Sequence, residues 1–444
     1  MSQPTGSIYE IRWNELCPWL VLAKALRVSL LIRVLGYAWL GLLLTQWGWS
    51  VCESLVFEPT TPTPRIEDAL ARAEPYKPSR RYVRPSELTT HTNRIFRETA
   101  RFADITEDSF AGWAFIEFRH HVAGPLLEGW RLLSFPFVSI FSPETDIRNF
   151  FLLLSCGLWA IAVWGIFGGA IARTAARYCT REEIIGPLAA GRAAVTKWPS
   201  TAGAPLIALA FAALTTIPLA TVGLLIRVNL LAMIAGLLWV FLLIWGLLLA
   251  IVLVALWFGW PLMWATIAVE RSDAFDAASR TAAYVYQRPL RLVFYVGVAT
   301  LLGIFGQLVV SGFAAAGSHL TEWAVSWGAG NERIVQLVGQ PIPGEVSPTL
   351  AGSAALAEQS IAFWKRMLAT VAAAYPFAYL FSASVGIYLL LRLHVDSTEM
   401  DEIVGDAGEE INHMPELKVD GSGVPNVVDD EVEDMSTRGH VPPS

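Results

Sequence analysis

Long unbroken apolar runs organise this chain, with neither the strict alternation of half-buried strands nor a heptad. Residues 228–269 are 42 consecutive positions with no Asp, Glu, Lys, Arg or His. A helix needs about 20 apolar residues to cross a hydrocarbon core about 30 Å thick, so this run exceeds one perpendicular crossing. Five more charge-free runs occupy 34–52, 149–172, 198–226, 292–318 and 367–391. Each is about long enough to cross as a helix, the form that satisfies its own backbone hydrogen bonds where water is absent. A transmembrane barrel needs many short alternating strands instead. The pattern predicts an all-α integral membrane protein with six transmembrane helices.

Between the runs the pattern changes character. Residues 1–33 form an N-terminal segment whose positions 8–27 (Ile8, Ile11, Leu16, Trp19, Leu20 and Ala23, with Arg12, Lys24 and Arg27) read as an amphipathic helix lying in the membrane interface. The first run, 34–52, reads as a retained span without a cleavage site. Residues 53–148 make a long segment on the far side of the membrane, opened by the stiff Pro59-Thr-Thr-Pro-Thr-Pro64. Within it, 66–73, 86–102, 109–123 and 125–133 are helical in pattern, and the apolar stretch 132–141 predicts helices pressed onto the outer membrane face. Residues 149–391 hold spans two to six. The tail, 392–444, is acidic and poor in aromatics, which predicts disorder.

The fourth run poses a choice of one span or two. Dividing it at Gly259-Trp-Pro261 would place Arg271, Arg280, Arg288 and Arg291 outside. A single tilted helix from about Leu237 is expected instead, with 228–236 in the outer interface and a kink at Pro261. Trp257, Trp260 and Trp264 then sit at headgroup level.

A repeat of the unit span, short amphipathic helix, span is visible twice in the same orientation. Ala189-Ala-Gly-Arg192 and Lys197-Trp-Pro199 lie between spans two and three, and Ala277-Ala-Ser-Arg280 and Gln287-Arg-Pro289 lie between spans four and five. This is a parallel internal repeat, unlike the inverted kind common in transporters.

Charge settles the expected orientation. The whole chain carries −7, but the tail alone has 14 Asp/Glu against three Lys/Arg. With both termini inside, the inner segments 1–33, 173–197 and 270–291 hold 13 Lys/Arg, against four in Arg227 and 319–366. Segment 53–148 is too long to count under the positive-inside rule. Both termini are therefore expected in the cytoplasm of a bacterial inner membrane. Overall only 16% of residues are charged and the mean hydropathy is +0.47, far from the composition of a soluble domain.

Candidate chemistry is sparse. The spans contain no ionisable residue, so proton-coupled transport is disfavoured. Gln307, Thr215, Thr216, Tyr375, Ser382 and Ser384 read as bonds between helices. His120 and His121, with Glu117 and Glu128, point about 100° apart on a helix and do not make a metal site. The four cysteines show no paired spacing. No phosphate loop or nucleophile elbow occurs, so no enzyme and no cofactor are expected. Glu270, Asp273, Asp276, Arg280 and Arg288 mark a short helix just inside the membrane, with Asp276 and Arg280 spaced to pair. They form the candidate docking surface for a protein partner or a lipid headgroup.

The residues Gly259-Trp-Pro-Leu-Met263, the stretch 268–280, Tyr286-Gln-Arg-Pro289 and Ile387-Tyr-Leu-Leu-Leu-Arg392 resemble an uncharacterised family of bacterial polytopic membrane proteins of the planctomycete type. More distantly, the Glu270 to Arg280 element resembles membrane domains attached to glycerophosphodiester phosphodiesterases, though no hydrolase domain accompanies it here. The resemblance covers roughly residues 181–402 and implies topology without an established activity. The expected function is that of a non-enzymatic scaffold or assembly component, with membrane lipids and membrane or cytoplasmic proteins as partners and no nucleic acid. The alternative is a permease with its pathway between the two repeat units, and an enzyme acting on lipid ranks third.

Overall fold

The computed structural model describes residues 17–56, 124–140, 147–338, 352–404, 417–419 and 425–427. Two units divide at Ile403 and Val404. The first is helical: α1 (Val21–Ser29), α2 (Ile32–Val56), α3 (Gly124–Ile140), α4 (Ile147–Arg181), α5 (Pro187–Thr196), α6 (Trp198–Leu225), α7 (Asn229–Leu237), α8 (Trp239–Glu270), α9 (Ala274–Gln287), α10 (Pro289–Ala329), α11 (Asn331–Val338) and α12 (Ser353–Val395). Five of these, α4, α6, α8, α10 and α12, are long and apolar enough to cross a membrane. A sixth span arises if Pro18–Ser29 and Ile32–Cys52, bent by 71° at their junction, count as one. This is an all-α membrane fold.

The fourth apolar run is a single span. The α7 helix precedes it, and α8 then runs 32 residues through Pro261 without a break. A proline costs a helix its hydrogen bond four residues back, and in a membrane the neighbouring helices make that tolerable.

The bundle is built around α12. All of its most apolar 18 residues are buried, and it packs against α1, α2, α3, α4, α8 and α10. Its sequence explains this. Ala372, Ala373, Ala374, Ala378, Ser382, Ala383, Ser384 and Gly386 let neighbouring backbones approach, while Tyr375, Phe377, Tyr379 and Phe381 fill the space between them. The rings need room on the other side. A side chain at Gly303 of α10 would place its Cβ 2.5 Å from the Tyr379 ring, and one at Gly129 of α3 would sit 2.9 Å from the Pro376 carbonyl oxygen. Trp164 of α4 stacks on Phe377 and Phe381 at centroid distances of 4.6 and 5.4 Å, and Trp264 of α8 stacks on Phe381 at 5.1 Å.

Three expectations change here. Residues 21–29 turn their apolar stripe to protein and not to lipid: Leu22, Ala25 and Val28 of α1 are fully buried, against α12 and its neighbours. An apolar stripe turned to lipid and one turned to protein have the same sequence pattern, so only packing partners distinguish them. Residues 124–140 form one helix through Pro136, packed against α4, α10 and α12 and not pressed on an outer face. Its first residue, Gly124, takes φ +63, and a Cβ there would come within 2.9 Å of Thr300 and 3.3 Å of Ile304 in the body of α10. Third, Trp264 is 2% exposed, a ring packed inside the bundle and not one facing headgroups. The helical patterns at 66–73, 86–102 and 109–123, and the histidine pair, lie outside the described residues.

The second unit contains a small antiparallel ribbon, Leu417–Val419 paired with Pro425–Val427 in the register Leu417↔Val427. Such pairing was not expected of the acidic tail, although the intervening sequence, Asp420-Gly-Ser-Gly-Val424, is glycine-rich. The start of the tail belongs to the first unit: Ile403 is 7% exposed and accepts a hydrogen bond from Arg181 Nη2 at 3.4 Å. That stretch had been expected to be disordered.

Candidate functional site

Two features stand at or near the end of the bundle where α5 and α9 lie. The first grows from the candidate residues themselves. Asp273 caps α9, its carboxylate accepting the Asp276 backbone N–H at 2.8 Å. Arg280, one turn on, donates from Nε to Asp276 at 2.9 Å and from Nη1 to Glu270 at 2.6 Å. Those carboxylates hold the guanidinium charged above its ordinary range, the Asp276 hydrogen bond contributing most. Glu270 ends α8 and its side chain is only 14% exposed. Its other oxygen accepts from Tyr388 of α12 and lies 3.6 Å from Arg392 Nη1.

Arg392 extends the network. Its Nη2 donates to the carbonyls of Glu399 and Glu402 at 3.0 and 2.6 Å, folding the chain after α12 back on the bundle. Tyr284 of α9 donates to Asp396 in that returning segment. Burial first, then the bond to Asp396, pushes the Tyr284 phenol above its ordinary range. The arrangement is a clasp: α8, α9, α12 and residues 396–403 are tied through Glu270, Arg280, Tyr388 and Arg392. Of the five candidate residues, Glu270, Asp273, Asp276 and Arg280 are joined by hydrogen bonds, and Glu270 faces inward. Arg288 stays apart, exposed at the C-terminus of α9. Sequence spacing pointed to the Asp276–Arg280 pair. Tyr388, Arg392 and Asp396 were missed because they come from more than 100 residues away in the chain, and Tyr284, although on α9, was missed because its partner Asp396 does. The i,i+4 spacing of Tyr388 and Arg392 at the end of a span was the available signal.

The second feature is a cavity of about 260 Å³ between α3, α4, α6 and α8. Its walls are almost wholly apolar: Leu133 and Phe137, Ala160 and Ile161, Pro205 and Leu209, Leu253 and Leu256, with Ser134 the one hydroxyl. Four tryptophans, Trp164, Trp257, Trp260 and Trp264, complete it. Indoles elsewhere in the bundle donate to backbone carbonyls, Trp49 to Cys156, Trp159 to Leu44, Trp198 to Ala162 and Trp245 to Thr215. The Nε1 atoms of Trp164, Trp260 and Trp264 are buried and have no partner among the described residues.

No group of three or more His, Cys, Asp or Glu is arranged to hold a metal among the described residues. The four cysteines are free thiols. Set beside protein-family models, curated proteins and solved structures, the chain matches none of them.

Proposed function

We propose that this is a non-enzymatic multi-pass protein that assembles other membrane components around itself, with its α5/α9 end in the cytoplasm of a bacterial inner membrane. The observation that carries the reading is the arm made by α6, α7 and α8. The most apolar 18 residues of α6 are 6% buried and those of α8 are 0% buried, whereas the corresponding part of α4 is half buried and that of α12 entirely so. Toward their α7 ends the two helices meet through Trp245, which donates to the Thr215 carbonyl at 2.8 Å, while the other half of α8 packs on α4, α9 and α12. Lipid solvates such surfaces without cost, but it gives no reason to hold the α7-proximal halves of two helices off the bundle. Exposed Ala210, Ala213 and Ala220 form a stripe along α6 that lets another helix approach closely. The two units of span, loop helix and span correspond to α4–α5–α6 and α8–α9–α10, and the lysines and arginines near α5 and α9 support the orientation.

A photo-crosslinking residue at Leu243 or Leu247, 63% and 64% exposed on α8, tests this in native membranes. The expected product is a crosslink to a protein, either a partner or a second copy. Adducts to lipid alone, a single-chain mass in nanodiscs and solute flux in reconstituted vesicles together would replace this reading with the permease one. The apolar walls of the tryptophan-lined cavity suit a polar solute poorly.

A further inference from the structure

The tryptophan-lined cavity stands at the root of the arm, where Pro205 and Leu209 of α6 and the stretch of α8 from Leu253 to Trp264 meet α3 and α4. No charged side chain lines it. Its one hydroxyl, on Ser134, is already committed as a donor to the Trp130 carbonyl. The indole nitrogens of Trp164, Trp260 and Trp264 are themselves buried in the packing, so what these rings show the cavity is carbon. A buried water needs about two to four polar partners, and these walls provide almost none.

A volume of about 260 Å³ is more than a packing defect. An apolar hole of about 150 Å³ inside a protein already takes up benzene, and a void left empty forfeits contacts on every wall. The cavity is not sealed. Leu253 and Trp257 of α8 are 39% and 40% exposed, whereas Ile161, Trp164 and Trp264 are 6%, 1% and 2% exposed. The walls thus run without interruption from the surface that α8 shows to lipid into the bundle. A partner helix, about 10 Å across with its side chains, is too thick to enter. A chain of single methylene groups is not, and hydrocarbon is the medium at the opening.

We propose that this cavity seats one acyl chain of a membrane phospholipid, held as a packing layer with α3 and α4 on one side and α6 and α8 on the other. Lipid tails are as apolar as leucine, so the chain gains nothing by leaving the bilayer as such. It gains contact with four indole rings and aliphatic walls that would otherwise face a void. Recognition is therefore of the chain and not of the headgroup, since the lining offers no charge to read one. The site does not rest on the assembly role of the arm, because a single polypeptide contains all of it.

The test places the full-length protein in phosphatidylcholine nanodiscs containing a trace of phosphatidylcholine with a diazirine midway along one acyl chain. After irradiation, peptides holding Phe137, Ile161 or Leu209 are expected to carry the label. Ala160→Phe, which fills the cavity, should lower that labelling at least about fivefold by removing the contacts the chain makes. Labelling around Leu243 and Leu247, on the exposed face of α8, should not change. A phosphatidylglycerol form of the probe should label the same peptides to within about twofold, there being no basic cluster in the walls to favour it. When lipid is stripped by detergent, the thermal midpoint of wild type should fall further than that of Ala160→Phe. Size-exclusion chromatography checks folding, and Leu253→Trp, at a partly exposed wall position, keeps the test decisive if Ala160→Phe does not fold. Label confined to the exposed face of α8 overturns the proposal, as does labelling of the cavity peptides that ignores both variants. A larger preference for either headgroup also overturns it. So does a benzophenone side chain at Leu209 that crosslinks to another stretch of this chain in place of lipid, which would make the occupant part of the protein.

Discussion

Two helices of this protein, α8 and α12, read alike in the sequence as long apolar spans, yet they have opposite surroundings. The most apolar 18 residues of α8 have a mean hydropathy of 2.9 and none is buried, while those of α12 have 1.5 and all are buried. In water the more apolar helix would be the interior one. In a bilayer, lipid tails are as apolar as leucine, so burial confers no hydrophobic gain and the interior goes to the helix that packs best. Small residues and aromatic rings give α12 that position; leucine, valine and phenylalanine leave α8 at home in lipid.

The sharpest way to break this comparison is a matched pair of glycine substitutions. Gly129→Leu forces a side chain against the Pro376 carbonyl oxygen of α12, whereas a Cβ at Gly246 of α8 meets nothing within 4 Å. The first is expected to abolish monodisperse folded protein in size-exclusion chromatography, and Gly246→Leu to leave it unchanged. Next come the large-to-small changes. Phe381→Ala, removing a ring stacked on Trp164 and Trp264, should cost about 3–5 kcal/mol in a detergent unfolding titration. Leu247→Ala on α8 should cost less than about 0.5 kcal/mol. Equal losses at the two positions would remove the distinction between interior and lipid-facing spans.

The clasp sharpens the comparison at the point where the two helices meet. Arg392→Gln leaves Glu270 without its α12 cation and the carbonyls of Glu399 and Glu402 without their donor. It should destabilise by about 3 kcal/mol, whereas Arg288→Gln should be near neutral, read in the same titration. The smallest effect is set by pH. The folded protein raises the Tyr284 phenol above its unfolded value, so this contribution is complete below about pH 10. It is lost as pH rises through the higher folded value. Thermal midpoints measured from pH 8 to 11 should fall more steeply for wild type than for Tyr284→Phe, which also forgoes about 1 kcal/mol of hydrogen bonding at neutral pH.

Much of this fold was legible because charge-free runs have few alternatives in a membrane. The existence of the spans, the single crossing at 228–269 and the helix at its start all follow from length and charge. What was not legible is which way each helix faces. The stripe of Leu22, Ala25 and Val28 is equally apolar against lipid or against α12. Gly124 and Pro125 read as the point where a surface helix begins; a helix does begin there, but it packs on the body of α10, α4 and α12. Trp264 looked like an interfacial ring because tryptophans at the end of a span usually are, yet its stack on Phe381 places it inside. The candidate site divides in the same way. Local spacing disclosed Asp276 with Arg280, while two of the partners of Glu270, Tyr388 and Arg392, come from α12, whose approach no local pattern encodes.

The central position of α12 also has a consequence in time. In the chain α12 follows every helix that packs on it, α1, α2, α3, α4, α8 and α10, so it is translated after all of them. Until about residue 395 has emerged, Gly129, Gly303 and Trp164 face a groove that its own occupant has not yet reached. Helices such as α2 and α4 can pair beforehand, but every contact with α12 has to form late, after the helices it joins have already been made.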